Sequence, residues 1–385
     1  MLRISVIVPL YKGDRYVNGI VKCIEANQKN FGYGEVELIF VNDNPLETIE
    51  LKMDSFISVY VFNTSINQGI QGARIRGCKM ARGQYVLMLD QDDIIADDCL
   101  AKQYENIVSL KADVSVCRAL ENGKKIYNEL NKFENIGDRK YMLSHINPII
   151  SPGQALIKKD AIPKIWMNHI LPHNGADDWL LWLGMLSERR LFVRNDRILY
   201  EHRVDGNNTS WNGTNMLLSE REVLHAIEKV GAFRGSDLEM ITDLISNDEF
   251  RHIQSLEKYR EMFMVFDSWM SLETKNETIA EYIYSLGYKE VAVYGYGYIG
   301  RQLVKKIKSS PLTLIGVIDI NADYIDADVN ICVLEKFNKE VELIISTTNL
   351  PQQVVDLLAK KTKVLSIQEL LKKWEISKDK LNGEI

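Results

Sequence analysis

Over residues 1–215, short apolar runs closed by polar turns alternate with stretches whose apolar residues recur every three or four positions. Ile4–Val8 stops at Pro9, and Val36–Val41 runs into Asn42-Asp43-Asn44-Pro45. Ile57–Phe62, Tyr85–Leu89 and Val114–Cys117 are three further runs of the same kind. Length and punctuation predict a strand at each. Between the first two, Val17, Ile20, Val21 and Ile24 fall on one face of a predicted helix. The alternation predicts an α/β sheet with mostly parallel strands. Its polar strand ends should gather along one edge, where open α/β sheets bind ligands.

From Met216 the period becomes helical. Ser219 with Glu222, and Ser236 with Glu239, have the spacing of capping boxes. Phe250, Ile253, Leu256 and Tyr259 continue at helical spacing, so 216–284 reads as a helical connector packing on one or both neighbours. Strand signals return at Val291–Tyr294, Leu314–Ile318, Leu343–Ile345 and Lys363–Leu365, with a helix through Leu303, Val304 and Ile307. Three parts are therefore expected: an α/β domain over 1–215, the connector over 216–284, and a second, smaller α/β domain over 285–385.

Composition narrows the partners. A chain of 385 residues is long for one core, which agrees with several domains. The formal charge is −6 and no basic tract is present, which excludes the nucleic-acid-binding class. No apolar run approaches the ~18–20 residues that span a bilayer, and Met1–Pro9 lacks the length and cleavage site of a signal peptide. Cys23, Cys78, Cys99, Cys117 and Cys332 are odd in number and have no metal-ligand spacing. Buried thiols in a reducing, cytoplasmic setting are the expectation.

The most telling chemistry follows the fourth strand. Asp90, Asp92 and Asp93 lie within four residues at its carboxyl end. Acids gathered at the end of a buried strand are costly unless a positive group is held there. A divalent cation carried with a sugar nucleotide is such a group, since hard Mg²⁺ or Mn²⁺ prefers carboxylate and phosphate oxygens.

An ordered series of motifs surrounds these acids. Val8-Pro9-Leu10-Tyr11 is followed by Val41-Asn42-Asp43, and Asn67-Gln68-Gly69 leads to Ala73-Arg74. Gly77, Ala81, Gly83 and Tyr85 then precede Asp90-Gln91-Asp92-Asp93. Over residues 3–212 this series resembles the family-2 glycosyltransferases, inverting enzymes of the GT-A fold. The resemblance implies a nucleoside diphosphate sugar donor, UDP-linked in the usual case. Asp90-Gln91-Asp92 matches the family's DXD element, which implies Asp92 as ligand of Mg²⁺ or Mn²⁺ and Asp90 beside the donor ribose. Asp43 matches the position that bonds the uracil ring, and Arg74 a base- or phosphate-side contact. Pro9 and Tyr11 would shape the loop around the base. Asn42, Asn44-Pro45 and Lys12 depart from the family pattern, and a plain Asx turn at Asn42–Asn44 is the local alternative.

Gly175-Ala176-Asp177-Asp178-Trp179 matches the family's acidic pair, after Ser151-Pro152-Gly153-Gln154, which resembles its acceptor-side strand. This makes Asp178 the general base and Asp177 its neighbour, and adjacent carboxylates raise one another's proton affinity. Tyr200-Glu201-His202-Arg203 and Asn208-Thr209-Ser210 resemble the segment that closes over the diphosphate. Arg203 is then its phosphate partner and His202 a candidate further metal ligand.

Gly295-x-Gly297-x-x-Gly300, after a strand and before a helix, with Asp319 at the end of the next strand, has the context of a dinucleotide fingerprint. It resembles Rossmann-like modules appended to some bacterial polysaccharide glycosyltransferases. Tyr294, Tyr296 and Tyr298 crowd the loop, so a structural or partner-docking role stands beside a second nucleotide site. The expected activity is metal-dependent, inverting transfer of a sugar to a hydroxyl of a glycan or lipid-linked acceptor, in bacterial surface polysaccharide synthesis at the cytoplasmic face of the membrane. The alternatives are a non-catalytic sugar-nucleotide scaffold and an NAD(P)-binding oxidoreductase.

Overall fold

Strand β1 (Leu2–Leu10) is buried along most of its length and anchors the first sheet. The computed structural model describes residues 1–52, 54–127, 132–204, 213–274, 277–360 and 362–383. The chain divides into two units, Met1–His252 and Ile253–Ile385.

In the first unit, β1 leads through α1 (Asp14–Asn30) to β2 (Glu35–Asn42) and β3 (Ser58–Asn63). Next come α2 (Gly69–Met80), β4 (Tyr85–Met88), β5 (Ile94–Ile95) and α3 (Cys99–Ser109). The paired β6 (Val114–Glu121) and β7 (Lys124–Lys125) precede α4 (Arg139–Leu143) and β8 (Ala155–Lys158). Then α5 (Lys164–Asn168), α6 (Asp177–Ser187), β9 (Phe192–His202) and α7 (Gly213–Val230) complete the described order, before α8 (Ser236–Leu272) crosses the unit boundary.

The first sheet has the order β3-β2-β1-β4-β8-β6-β9-β5, with β7 on β6. Its first half is parallel, as the alternation predicts, but β8 runs antiparallel to both β4 and β6. The long strand β9 has no counterpart in the sequence reading. Arg194, Asn195, Asp196 and Arg197 interrupt its apolar pattern, and its pairing with β6 shifts register at Arg118. Ser151–Gln154, expected as a strand, begins with a short 3₁₀ turn at Pro152, and the strand itself starts at Ala155.

Helix α6 is apolar all round and buried throughout Asp177–Leu186, as expected of a helix inside a core rather than on its surface. Leu180, Leu181 and Leu183 each contribute about 1.5–3 kcal/mol by this burial. That packing holds two carboxylates in the first turn, where the amide ends of the helix favour negative charge.

The expected connector is shared out. Val223, Ala226, Ile227, Ile241 and Ile245 join the core of the first unit. Val265, Trp269 and Leu272 join that of the second. Ser219 and Glu222 are not a capping box, because α7 already runs from Gly213, six residues before Ser219, and Ser219 lies fully buried in mid-helix. A capping box does form at Thr278 and Glu281, opening α9 (Ile279–Ser285).

In the second unit, β10 (Glu290–Tyr294) is followed by α10 (Tyr298–Lys308), β11 (Thr313–Ile318) and β12 (Ile331–Cys332). After these come β13 (Leu343–Ser346), α11 (Gln352–Ala359), β14 (Lys363–Ser366) and α12 (Ile367–Gly383). The five strands are parallel in the order β12-β11-β10-β13-β14, which puts the reversal of strand order between β10 and β13. Among the described residues no helix is long and apolar enough to cross a membrane. Cys78, Cys99 and Cys117 are buried as expected, whereas Cys23 and Cys332 are half-buried, and all five are free thiols.

Candidate active site

The parallel strands β1, β2 and β4 end side by side at Leu10, Asn42 and Met88. Their loops open into a cavity of about 580 Å³. Pro9, Tyr11, Asp43, Arg74, Asp90, Asp92, Asp177, Asp178 and His202 all line it, so residues more than 190 positions apart meet there.

Arg74 forms the floor. It is 3% exposed, and its Nη2 donates to Asp90 Oδ1 at 2.6 Å while Nη1 donates to Asp177 Oδ2 at 2.8 Å. Burial works against its charge, but Asp90, Asp177 and Asp178 outweigh this and hold its pKa above the ordinary arginine value. Arg74, expected from the resemblance as a direct donor contact, ties Asp90 at the end of β4 to Asp177 at the start of α6. Ser151 Oγ completes the seat of Asp90 by donating to Oδ2 at 3.3 Å.

Asp178 stands apart from its neighbour. Asn147 Nδ2 donates to its Oδ2 and the Trp179 N–H to its Oδ1, both at 2.8 Å. Burial first, and the charge of Asp177 second, push its pKa up to about 7. With Asp177 committed to Arg74, Asp178 is the carboxyl group whose proton affinity suits acid–base work near neutrality.

Asp92 is likewise pushed up to about 6, by burial and then by Asp93 and Asp90. Asp93 does not face the cavity in the same way. It is 6% exposed and accepts from the Tyr200 hydroxyl, from the Arg203 N–H at 2.9 Å, and pairs with His202 Nδ1 at 3.1 Å. Burial opposes a charged His202, but the Asp93 carboxylate more than offsets it and the histidine pKa rises. The bond at Nδ1 leaves Nε2 as the ring atom for other partners, the arrangement in which a carboxylate orients a metal-binding imidazole.

Among the described residues no group of three or more His, Cys, Asp or Glu converges to hold a metal ion. Asp92 and His202 nevertheless line one cavity. A carboxylate strained by like charges beside an oriented imidazole fits a cation that takes its remaining oxygens from a substrate diphosphate.

Asp43 accepts the Gln68 N–H at 3.0 Å, just ahead of α2, and burial raises its pKa despite that bond. The Asx turn also forms, with Asn42 Oδ1 accepting the Asn44 N–H at 3.1 Å. The turn uses Asn42 and leaves Asp43 on the cavity wall. Arg203 is not among the lining residues, and its backbone bond to Asp93 sets it next to His202. Asn208, Thr209 and Ser210 lie outside the described residues.

Several supporting residues went unread in the sequence. Gln91 brackets the first loop, accepting the Tyr11 N–H at 3.0 Å and donating to the Tyr11 carbonyl at 3.3 Å. Gly13 permits this, since a Cβ there would lie 2.3 Å from Gln91 Oε1. Ser219 Oγ accepts the Ala176 N–H at 3.0 Å and donates to the His173 carbonyl at 2.9 Å. Glu222 binds His173 through both its N–H and Nδ1. Helix α7 thereby fixes the loop that delivers Asp177 and Asp178, and Gly175 (φ +146°) leaves room for Met216 to pack against it. Asn147 carries a left-handed backbone (φ 43°), and a lone Asn ahead of a proline was its only signal.

In the second unit, Asp319 Oδ2 accepts the Tyr296 N–H at 2.6 Å and Oδ1 the Asn321 N–H at 2.8 Å. Thr347 Oγ1 donates to the carbonyls of Tyr294 and Gly295. Gly295 has φ +93°, and Gly300 lets the helix close on the loop, as a Cβ there would lie 1.9 Å from the Gly295 carbonyl. Gly297 faces open space.

Residues 5–166 match the model of glycosyl transferase family 2. The chain is 39% identical over 211 residues to an uncharacterized glycosyltransferase of Haemophilus influenzae, covering 52% of this chain and 76% of that protein. The chain belongs to glycosyl transferase family 2, and its nine-stranded sheet is the GT-A unit. It is therefore a glycosyltransferase with a second α/β unit. Over 373 residues it is 24% identical to the minor teichoic acid biosynthesis protein GgaB of Bacillus subtilis, covering 83% of this chain but only 40% of GgaB. Among solved structures, S. aureus TarS 1–349 in complex with UDP-GlcNAc aligns with a TM-score of 0.47 and 16% identity, covering 65% of this chain and 73% of that one.

Proposed function

We propose that this glycosyltransferase moves a sugar, with inversion, from a nucleoside diphosphate sugar to a hydroxyl of a surface-polymer acceptor. UDP is the nucleotide the motif series favours, and the name of the Bacillus relative supports a teichoic-acid-like or polysaccharide acceptor. The observation that carries the reading is the division of labour between Asp177 and Asp178. One is neutralised by Arg74 and the other is left with a pKa of about 7 in the same cavity as Asp90 and Asp92.

In this reading Asp43, Pro9 and Tyr11 receive the base and Asp90 the ribose. Asp92 and His202 would hold Mg²⁺ or Mn²⁺, which would offset the charge of the departing diphosphate. Arg203 meets the diphosphate from beside His202. Asp178 accepts the proton of the acceptor hydroxyl as its oxygen bonds to the anomeric carbon and the bond from that carbon to the diphosphate oxygen breaks. Attack from the face opposite the leaving group inverts the centre. The proton ends on Asp178 and the electron pair on the nucleoside diphosphate.

A panel of nucleoside diphosphate sugars, with and without Mn²⁺, tests this by thermal shift and by release of the nucleoside diphosphate. A metal-dependent rise in melting temperature with one donor, and release abolished in Asp92→Asn, is expected. Release unaffected by Asp92→Asn would remove the site assignment.

A second reading concerns Gly295, Gly297, Gly300 and Asp319. The open face at Gly297 and the close packing at Gly300 favour a nucleotide diphosphate at the amino end of α10. Titration with NAD, NADP and UDP against Gly297→Asp separates this from a purely structural loop. Equal binding by the variant ends it.

A further inference from the structure

A concentrated positive surface lies on α10 of the second unit. Its eleven residues carry Arg301, Lys305, Lys306 and Lys308 and no acid, in a chain of formal charge −6. Leu303, Val304 and Ile307 are buried in the core of the unit, so the apolar side of the helix is already used. Lys306 is committed to Glu273 at 2.5 Å and Lys308 to the exposed Asp328 at 2.9 Å. Arg301 and Lys305 have no ion-pair partner among the described residues.

Arg301, Lys305 and Lys308 stand at i, i+4 and i+7 and so share one face. Together with Tyr296, Tyr298 and Asp328 they line a cavity of about 440 Å³. Tyr298 is 55% exposed, yet its ring is held by an edge contact to Phe266, with centroids 5.2 Å apart. A row of cations along a groove suits a row of anions better than a single one, because each further contact forms at high effective concentration. Two tyrosines at one end offer flat faces to sugar or polyol carbons between the charges.

We propose that this face of α10 holds a chain of repeating phosphodiesters joined by polyol or sugar units, the acceptor polymer of the transfer proposed above. The inference rests on that reading for the identity of the polymer, but not for the binding itself. An anionic membrane is the less suitable partner, because no apolar side chain of α10 other than Tyr298 is left exposed to enter it. Asp328 sits in the groove as an internal competitor for Lys308, so its removal should strengthen binding.

The test uses the full chain and a fluorescent glycerol-phosphate oligomer, read by anisotropy near physiological salt. Wild type should bind, Arg301→Glu with Lys305→Glu should bind roughly tenfold more weakly, and Asp328→Asn more tightly, all with unchanged donor hydrolysis. A neutral oligomer of the same length should not bind. Equal binding by the double variant and wild type overturns the proposal, as does an Asp328→Asn variant with no gain. Binding to phosphatidylglycerol vesicles but not to the soluble oligomer assigns the surface to a membrane and overturns it too. If oligomer binding behaves as expected while no donor is turned over, the transferase reading fails and the phosphate site stands.

Discussion

Two sheet edges in this chain have much the same construction and opposite chemistry. At the first, the ends of β1, β2 and β4 leave Asp92 and Asp178 facing a cavity with pKa values pushed up to about 6 and about 7. At the second, the end of β11 carries Asp319, but backbone N–H groups of Tyr296 and Asn321 already occupy both its oxygens. Thr347 closes the neighbouring crevice onto Gly295. A strand end becomes a reactive site where carboxylates keep capacity that the fold does not satisfy. Where turns satisfy them, as at Asp319, the carboxylate holds its loop and a ligand is left the backbone amides at the start of α10.

The sharpest way to break this comparison is Arg74→Ala. It strands Asp90 and Asp177 without their shared cation, and the loss of one member of a buried ion group costs about 3–5 kcal/mol. Chemical denaturation should show that loss, and transfer should disappear with it. Asp178→Asn should instead leave the fold intact and lower kcat by roughly 10²–10⁴.

The pH dependence of wild type follows from the same group. In the proposed mechanism transfer needs Asp178 ionised, so kcat/KM should rise with pH through about 7. Stability should move oppositely. The folded protein holds protons on Asp92 and Asp178 at pH values where the unfolded chain, near 3.8, has lost them. The stability they contribute is full below about pH 4 and is lost as pH rises through 6 and 7. Denaturation midpoints across this range should flatten in Asp178→Asn.

Asp92→Asn should abolish metal-dependent turnover and yet raise the melting temperature of the ligand-free protein by about 2–4 °C near pH 7, if roughly 1 kcal/mol of charge strain is relieved. A fall in melting temperature would mean that Asp92 stabilises the ligand-free fold. The smallest effect belongs to the other edge. Asp319→Ala should lower stability by about 1 kcal/mol through the lost loop bonds, with donor hydrolysis unchanged.

Much of the first edge could be read from the chain. Asp90-Gln91-Asp92-Asp93 follows an apolar run, and Asp177-Asp178 precedes a helix of leucines and tryptophans, so local pattern located both. What escaped was support arriving from far away. Ser219 and Glu222 have capping-box spacing, and only the packing of α7 on the loop at His173 shows that they bind there instead. Strand β9 was hidden because four polar residues break its alternation where its pairing with β6 shifts register.

Local sequence by itself determined the parallel strands β1 to β4, the acids that stand at their ends, and the family to which the chain belongs, because these depend on periodicity and on short ordered motifs. Tertiary structure alone decided how those acids differ. Asp177 and Asp178 are adjacent and chemically identical, yet one meets the guanidinium of Arg74, 103 positions away, and the other an amide of Asn147. Proton affinity depends on burial and on charges within a few ångströms, and those neighbours are set by the packing of the whole unit.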